Sequence, residues 1–165
     1  MISDLDEIPN PDKIKEFKNS KYGCFVQKNF SIKFNLLNIT QPDWHGTRIC
    51  KKKYLKSPQW IRDIKIKKRP FYKFYKPRFD KFIKNGGWHF SSVKNAEQIS
   101  HKFSSYAEQQ YNNDIYNNIE VIKSKIKNKL DLFDRQHKFK VVKIDENFPK
   151  ILQDNIKKYE NFLYL

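Results

Sequence analysis

The chain has 165 residues, which as a prior means a single domain over 1–165. It carries 34 Lys/Arg against 18 Asp/Glu, a formal charge of +16, with 38% hydrophobic and 16% aromatic residues. That is enough apolar material for a packed core, which excludes a wholly disordered chain. No apolar run approaches the roughly 20 residues of a membrane span or the roughly 7–15 of a secretory segment, so no membrane span is expected and a cytoplasmic location is the default.

The charge is uneven. Residues 51–84 hold fourteen Lys/Arg against Asp63 and Asp80, interleaved with Tyr54, Trp60, Phe71, Tyr72, Phe74 and Tyr75. Such a stretch suits a phosphate backbone by charge and stacking, but no groove-reading motif accompanies it. Lys, Asn and Ile make up 62 of the 165 residues, a mixture that coding biased towards A and T produces unaided. A solvated basic face, or one that attracts an anionic substrate, is therefore expected ahead of nucleic-acid binding. Cys24 and Cys50 are too few for a disulfide scaffold and lack zinc-ligand spacing, so they read as buried or idle thiols.

In chain order, Asn10-Pro11 reads as the cap and first residue of a short helix with Asp12 in its first turn. Residues 22–27 and 30–37 read as strands; the second alternates Phe30, Ile32, Phe34 and Leu36 against polar neighbours. Ser57-Pro58 caps a brief helix through Trp60 and Ile61. Residues 64–84 have no clean period and read as an irregular basic excursion. Trp88-His89-Phe90 reads as a short strand after Gly86-Gly87. Asn95 caps a helix carrying Ile99, Phe103 and Tyr106. A longer helix over about 113–130 is expected from Ile115, Ile119, Ile122, Ile126 and Leu130. Residues 139–144 suggest a last strand, and Phe148-Pro149 opens a terminal helix with Ile151, Ile156 and Tyr159. Strands and helices in mixed order mean an α/β or α+β class.

Four segments carry candidate chemistry. Asp4-Leu5-Asp6-Glu7, at the end of a strand, would point Asp4 and Asp6 the same way and offer hard oxygen ligands to Mg²⁺ or Mn²⁺; the plain alternative is a solvated turn. Gly86-Gly87-Trp88-His89-Phe90-Ser91 allows close approach of backbone to a ligand, with His89 facing opposite to the aromatics, or simply a turn before a core strand. Trp44-His45-Gly46-Thr47-Arg48 offers an indole platform for a sugar and a guanidinium for a carboxylate or phosphate, or a core tryptophan beside a turn. Glu97 and Glu108, three helical turns apart, are candidate general bases or ordinary solvated glutamates.

Taken in order, residues 3–9, Trp44-x-Gly46-Thr47-Arg48 and Gly86-Gly87-Trp88-His89-Phe90-Ser91 resemble the β-1,4-mannosyl-glycoprotein β-1,4-N-acetylglucosaminyltransferase family. The stretch 97–112 and the ending Val142-Lys143-Ile144-Asp145…Phe148-Pro149…Asn155…Lys158-Tyr159 are similar too. The resemblance implies an α/β fold of GT-A-like type, a UDP-sugar donor, a glycan acceptor, a divalent metal (Mn²⁺ or Mg²⁺) and an inverting transfer. It makes Asp4 and Asp6 metal ligands and Glu7 a support for their loop. It makes Trp44, Arg48, Gly86, Gly87, Trp88 and His89 donor-binding residues, and Glu97 the catalytic base. Two departures stand out. Relatives show His-x-Glu where this chain has Glu108-Gln109-Gln110. The Asp-x-Asp motif also starts at residue 4, where a GT-A fold has about a hundred residues of nucleotide-binding strands and helices before it. The chain thus resembles the C-terminal half of such an enzyme, expected to work with a separate N-terminal half chain as partner. The rival expectations are a basic module for nucleic acid or another polyanion, and a non-catalytic remnant.

Overall fold

The computed structural model describes residues 1–66, 77–105 and 109–164. The strands are β1 (Glu7–Pro9), β2 (Tyr22–Ser31), β3 (Leu36–Asn38), β4 (Asp43–Cys50), β5 (Lys81–Ile83), β6 (Gly87–Ser91) and β7 (Phe139–Val141). The fold is mixed α/β, and its one seven-stranded mixed sheet runs in the order β1-β6-β2-β3-β7, with the remaining two of the seven, β4 and β5, both paired to β2. The α-helices are α1 (Pro58–Arg62), α2 (Ala96–Ser105), α3 (Ile119–Lys127) and α4 (Lys150–Gln153). The chain divides into two compact units, one of residues 1–28 with 43–89, the other of residues 29–42 with 90–165.

In the first unit, β4 runs antiparallel to β2 and β5 runs parallel to it. Cys24, Ile61, Ile64 and Phe79 form one buried cluster; Phe25, Ile49 and Ile83 form another. Local capping follows the sequence closely. Asn10 accepts a hydrogen bond from the Asp12 amide at the head of a 3₁₀ turn, Pro11–Phe17. Ser57 Oγ accepts from the Trp60 amide at 3.1 Å, with Pro58 at the first position of α1.

In the second unit, Ile32, Leu36, Ala96, Ile99, Phe103, Ile122 and Leu132 form one apolar cluster. Asn95 and Gln98 cap α2 reciprocally: the Gln98 amide donates to Asn95 Oδ1 at 2.8 Å and the Asn95 amide to Gln98 Oε1 at 3.1 Å. Phe30 stacks on Phe90 with ring centroids 5.4 Å apart.

Several expected elements shift. The first strand runs on from residue 27 to Ser31, and the alternating run 30–37 is a hairpin, with Phe30 opposite Leu37. Ile32 sits at φ 70° in the turn; Phe30, Ile32 and Leu36 are buried as expected, but Phe34 is only half-buried and Asn35, on the expected polar face, is 4% exposed, so the alternation breaks where the chain turns. The helix expected from residue 113 begins at Ile119, because Asn113 closes a turn on the Ile115 and Tyr116 amides and Asn118 caps α3. Of its expected stripe only Ile122 is fully buried; Ile115 and Leu130 lie outside the helix and are exposed. The terminal helix splits into α4 and a 3₁₀ turn, Lys157–Phe162, and buries Leu152 in place of Ile151 and Ile156. The basic excursion contains β5, while residues 67–76 lie outside the described residues. The last strand spans three residues of the six expected.

Candidate functional site

Asp4 and Asp6 do not lie on a strand. Residues 4–7 form a turn closed by the Glu7 amide on the Asp4 carbonyl at 3.1 Å, between an isolated bridge from Ile2 to Arg48 and strand β1. Leu5, at the tip, is fully exposed. Glu7 closes the turn a second time, since its Oε2 accepts from the Asp4 amide at 3.2 Å.

Glu7 is the centre of the site. It is 9% exposed, and its carboxylate also accepts from Trp44 Nε1 at 2.9 Å and from Thr47 Oγ1 at 3.3 Å. Trp44 and Thr47 are three apart, so a plain strand would send them to opposite faces. The register between β2 and β4 slips here: Cys24 faces Arg48 and Val26 faces His45, so Gly46 and Thr47 together oppose Phe25. This β-bulge turns the strand and brings both donors onto one carboxylate. Gly46 is required by the same geometry, because a Cβ there would sit 1.8 Å from Gln27 Oε1 and 2.8 Å from Glu7 Cδ. Thr47 Oγ1 in turn receives Gln27 Nε2 at 3.2 Å and lies 2.7 Å from Ser3 Oγ.

Strand β6 brings in the third motif. Its antiparallel pairing with β1 sets His89 opposite Glu7, Trp88 opposite Ile8 and Gly87 opposite Pro9. Gly87, at φ 135°, leaves no room for a side chain: a Cβ would meet the Ile8 carbonyl at 2.1 Å. The close approach that Gly87 permits is therefore to β1's own backbone, and at Gly86 it is to Ile83 and Phe25. His89 is buried, stacks on Trp44 with rings 4.2 Å apart and 10° from parallel, and turns Nε2 to Asp6 Oδ2 at 3.4 Å. Trp88 and Phe90 are buried as well.

Beside Glu7 opens a cleft of about 260 Å³, lined by Asp4, Trp44, His45, Arg48, Gln59 and Arg62 among others. Arg62, at the end of α1, forms an ion pair with Asp4. Arg48 donates through one terminal nitrogen to the His45 carbonyl at 2.6 Å and to Cys24 Sγ at 3.1 Å, and lies over the Phe79 ring. Burial, helped by the Arg48 charge, holds the His45 imidazole below its ordinary range. Burial also pushes the Cys24 thiol up, as fits an idle thiol.

The structure thus gathers Asp4, Asp6, Glu7, Trp44, Arg48 and His89 in the first unit. Glu97 is exposed in the first turn of α2, in the second unit, and is not among them. Glu108 lies outside the described residues. Sequence reading missed Arg62, Gln59 and Gln27, and it quoted Thr47 within its motif without giving it a role. Arg62 is one of fourteen basic residues in its stretch, and only its place at the end of the Ser57-Pro58 helix sets it apart.

Asp4 and Asp6 are the hard oxygen donors that Mg²⁺ or Mn²⁺ takes, on one turn and each nearly half exposed. Among the described residues no three His, Cys, Asp or Glu side chains gather as a metal site. Both carboxylates already face a basic group, Asp4 the Arg62 guanidinium and Asp6 the His89 ring, so a cation there would have to displace those contacts. No helix of the described residues is long and apolar enough to cross a membrane. No family model, curated protein or solved structure matches this chain.

Proposed function

We propose that the chain is a glycosyltransferase of the β-1,4-N-acetylglucosaminyltransferase type, with a GT-A-like fold, passing a sugar from a UDP-sugar to a glycan with inversion. The observation that carries this reading is the convergence of three segments, distant in sequence, on one buried carboxylate. Glu7 holds the Asp4/Asp6 turn by its backbone, takes the Trp44 indole, and pairs in register with His89. On this reading Asp4 and Asp6 hold Mn²⁺ or Mg²⁺ together with the donor's phosphates. When bound, the cation neutralises the leaving diphosphate. Trp44, Arg48 and His89 border the donor, and Gly87 lets β6 sit close enough to β1 to present His89, while Gly86 packs on Phe25 and Ile83 just ahead of β6.

Titration of Mn²⁺ followed by electron paramagnetic resonance, with and without UDP, tests the reading. Loss of the free-ion signal that requires UDP, and that disappears in the Asp4→Asn/Asp6→Asn variant, is the expected result. A signal indifferent to UDP, or equal uptake by the double variant, overturns it.

A further inference from the structure

We propose that the acceptor is an acidic glycan, bearing carboxylate, sulfate or phosphate groups, and that a lysine-rich aromatic face next to the cleft holds it; this rests on the transferase reading above. Lys51, Lys52, Lys53 and Lys56 are all exposed, as is Lys21 ahead of β2. They surround three half-buried rings locked edge to face: Tyr22 with Tyr54 at 6.1 Å and 61°, and Tyr22 with Trp60 at 5.5 Å and 67°. The ammonium groups of Lys21 and Lys53 lie 5.5 and 5.1 Å from the Tyr54 ring centre, and that of Lys56 lies 5.6 Å from the Trp60 ring centre.

Among the described residues none of the five lysines is in an ion pair. The two acids of the stretch are engaged otherwise: Asp63 accepts from Gln59 Nε2 at 2.9 Å, and Asp80 accepts the Lys21 and Tyr22 amides at 2.8 and 2.9 Å. The net field of this face is positive, so it concentrates anions.

Helix α1 joins the face to the cleft. Its Trp60 packs on Tyr22 while Gln59 and Arg62 line the cleft, so a chain lying on the lysines has its end within reach of the site. The place of the face favours a glycan over a nucleic acid: it adjoins the cleft read above as the sugar-donor site, and its lysines supply cations for acid groups on a sugar chain.

The test is binding of a size-defined oligogalacturonate to the full chain, beside a neutral galacto-oligosaccharide of equal length and an oligo-dT of equal charge. The expected result is salt-sensitive binding of the acidic glycan, weakened about tenfold in K51Q/K52Q/K53Q/K56Q and less than about twofold in K127Q/K138Q/K140Q/K143Q, which removes the same charge from the second unit. Equal loss in both variants, equal binding of the neutral glycan, or tighter binding of oligo-dT through the same four lysines overturns the proposal. A failed glycan result beside a positive Mn²⁺–UDP titration overturns this proposal alone. A failed titration beside lysine-dependent glycan binding overturns the transferase reading and the role of acceptor, leaving a glycan-binding surface.

Discussion

In the second unit seven apolar side chains, among them Ile32, Ile99, Phe103 and Ile122, close into one cluster at 0–5% exposure. The first unit divides its core between a group of four and a group of three, and buries a carboxylate, an amide and a hydroxyl beside them: Glu7, Gln27 and Thr47. An apolar cluster tolerates imperfect direction, because dispersion and hydrophobic burial are non-directional. A buried polar chain does not, because each unmet donor or acceptor costs the desolvation it was given. The second unit buries polar groups as well, Asn29, Asn35, Asn38, Ser92 and Asp131, so what sets the first unit apart is that one buried carboxylate, Glu7, gathers donors from two distant stretches, Asp4 on one side and Trp44 with Thr47 on the other.

The largest effect expected from breaking that contrast lies on the apolar side. Phe103 is 2% exposed and packs against Phe133 at 5.5 Å. Phe103→Ala is expected to cost about 3–5 kcal/mol, read as a lowered urea midpoint. A loss under about 1 kcal/mol would mean the second unit's core is loosely packed.

Glu7→Gln comes next. It keeps shape and volume, removes the charge, and turns one acceptor oxygen into a donor facing the Trp44 indole or the Asp4 amide. Hydrogen bonds to a charged group are worth about 1.5–3 kcal/mol, so that is the expected loss of stability. Because the Trp44 indole is held by this carboxylate, its fluorescence is also expected to shift. Unchanged stability and an unchanged spectrum would remove Glu7 from the centre of the site.

Much of this was legible in the sequence, and the failures have physical causes. Caps were read correctly at Asn10, Ser57 and Asn95, because a cap is a local bond between neighbours. Burial of Phe30, Ile32 and Leu36 was read correctly, but Phe34 is only half-buried and Asn35 is buried, because the run is a hairpin and alternation records faces and not turns. The site motifs were legible as residue types, and Glu7 was read as support for the loop. The bulge at Gly46 and Thr47 was not legible, because it is a relation between two strands twenty residues apart. Arg62 escaped notice for the same reason: its partner Asp4 lies at the far end of the chain's numbering. The second unit's α3 was over-extended because Ile115 and Leu130 keep helical spacing while the asparagines at 113 and 118 impose turns and caps.

The smallest expected effect sharpens the contrast from inside the second unit, where Asp131 is the buried charge among the described residues. Asp131 is 6% exposed and takes Arg135 through two bonds of 3.1 Å, along with the Phe133 and Arg135 amides at 3.2 and 3.0 Å. Burial by itself would raise the carboxyl, but the guanidinium and the amides outweigh it and hold Asp131 below its usual value of 3.8. A depressed native pKa contributes stability that is present above the unfolded value and lost as pH falls through the native one. Asp131→Asn is therefore expected to cost about 1 kcal/mol at neutral pH, since Arg135 is half exposed and returns to water. The gap between wild type and variant should then close as the pH is taken below 3.8. Urea midpoints at pH 7, 4 and 3 check this. A gap constant across that range would mean that the four hydrogen bonds, and not the charge, are what Asp131 contributes; the second unit would then have no electrostatic counterpart to Glu7.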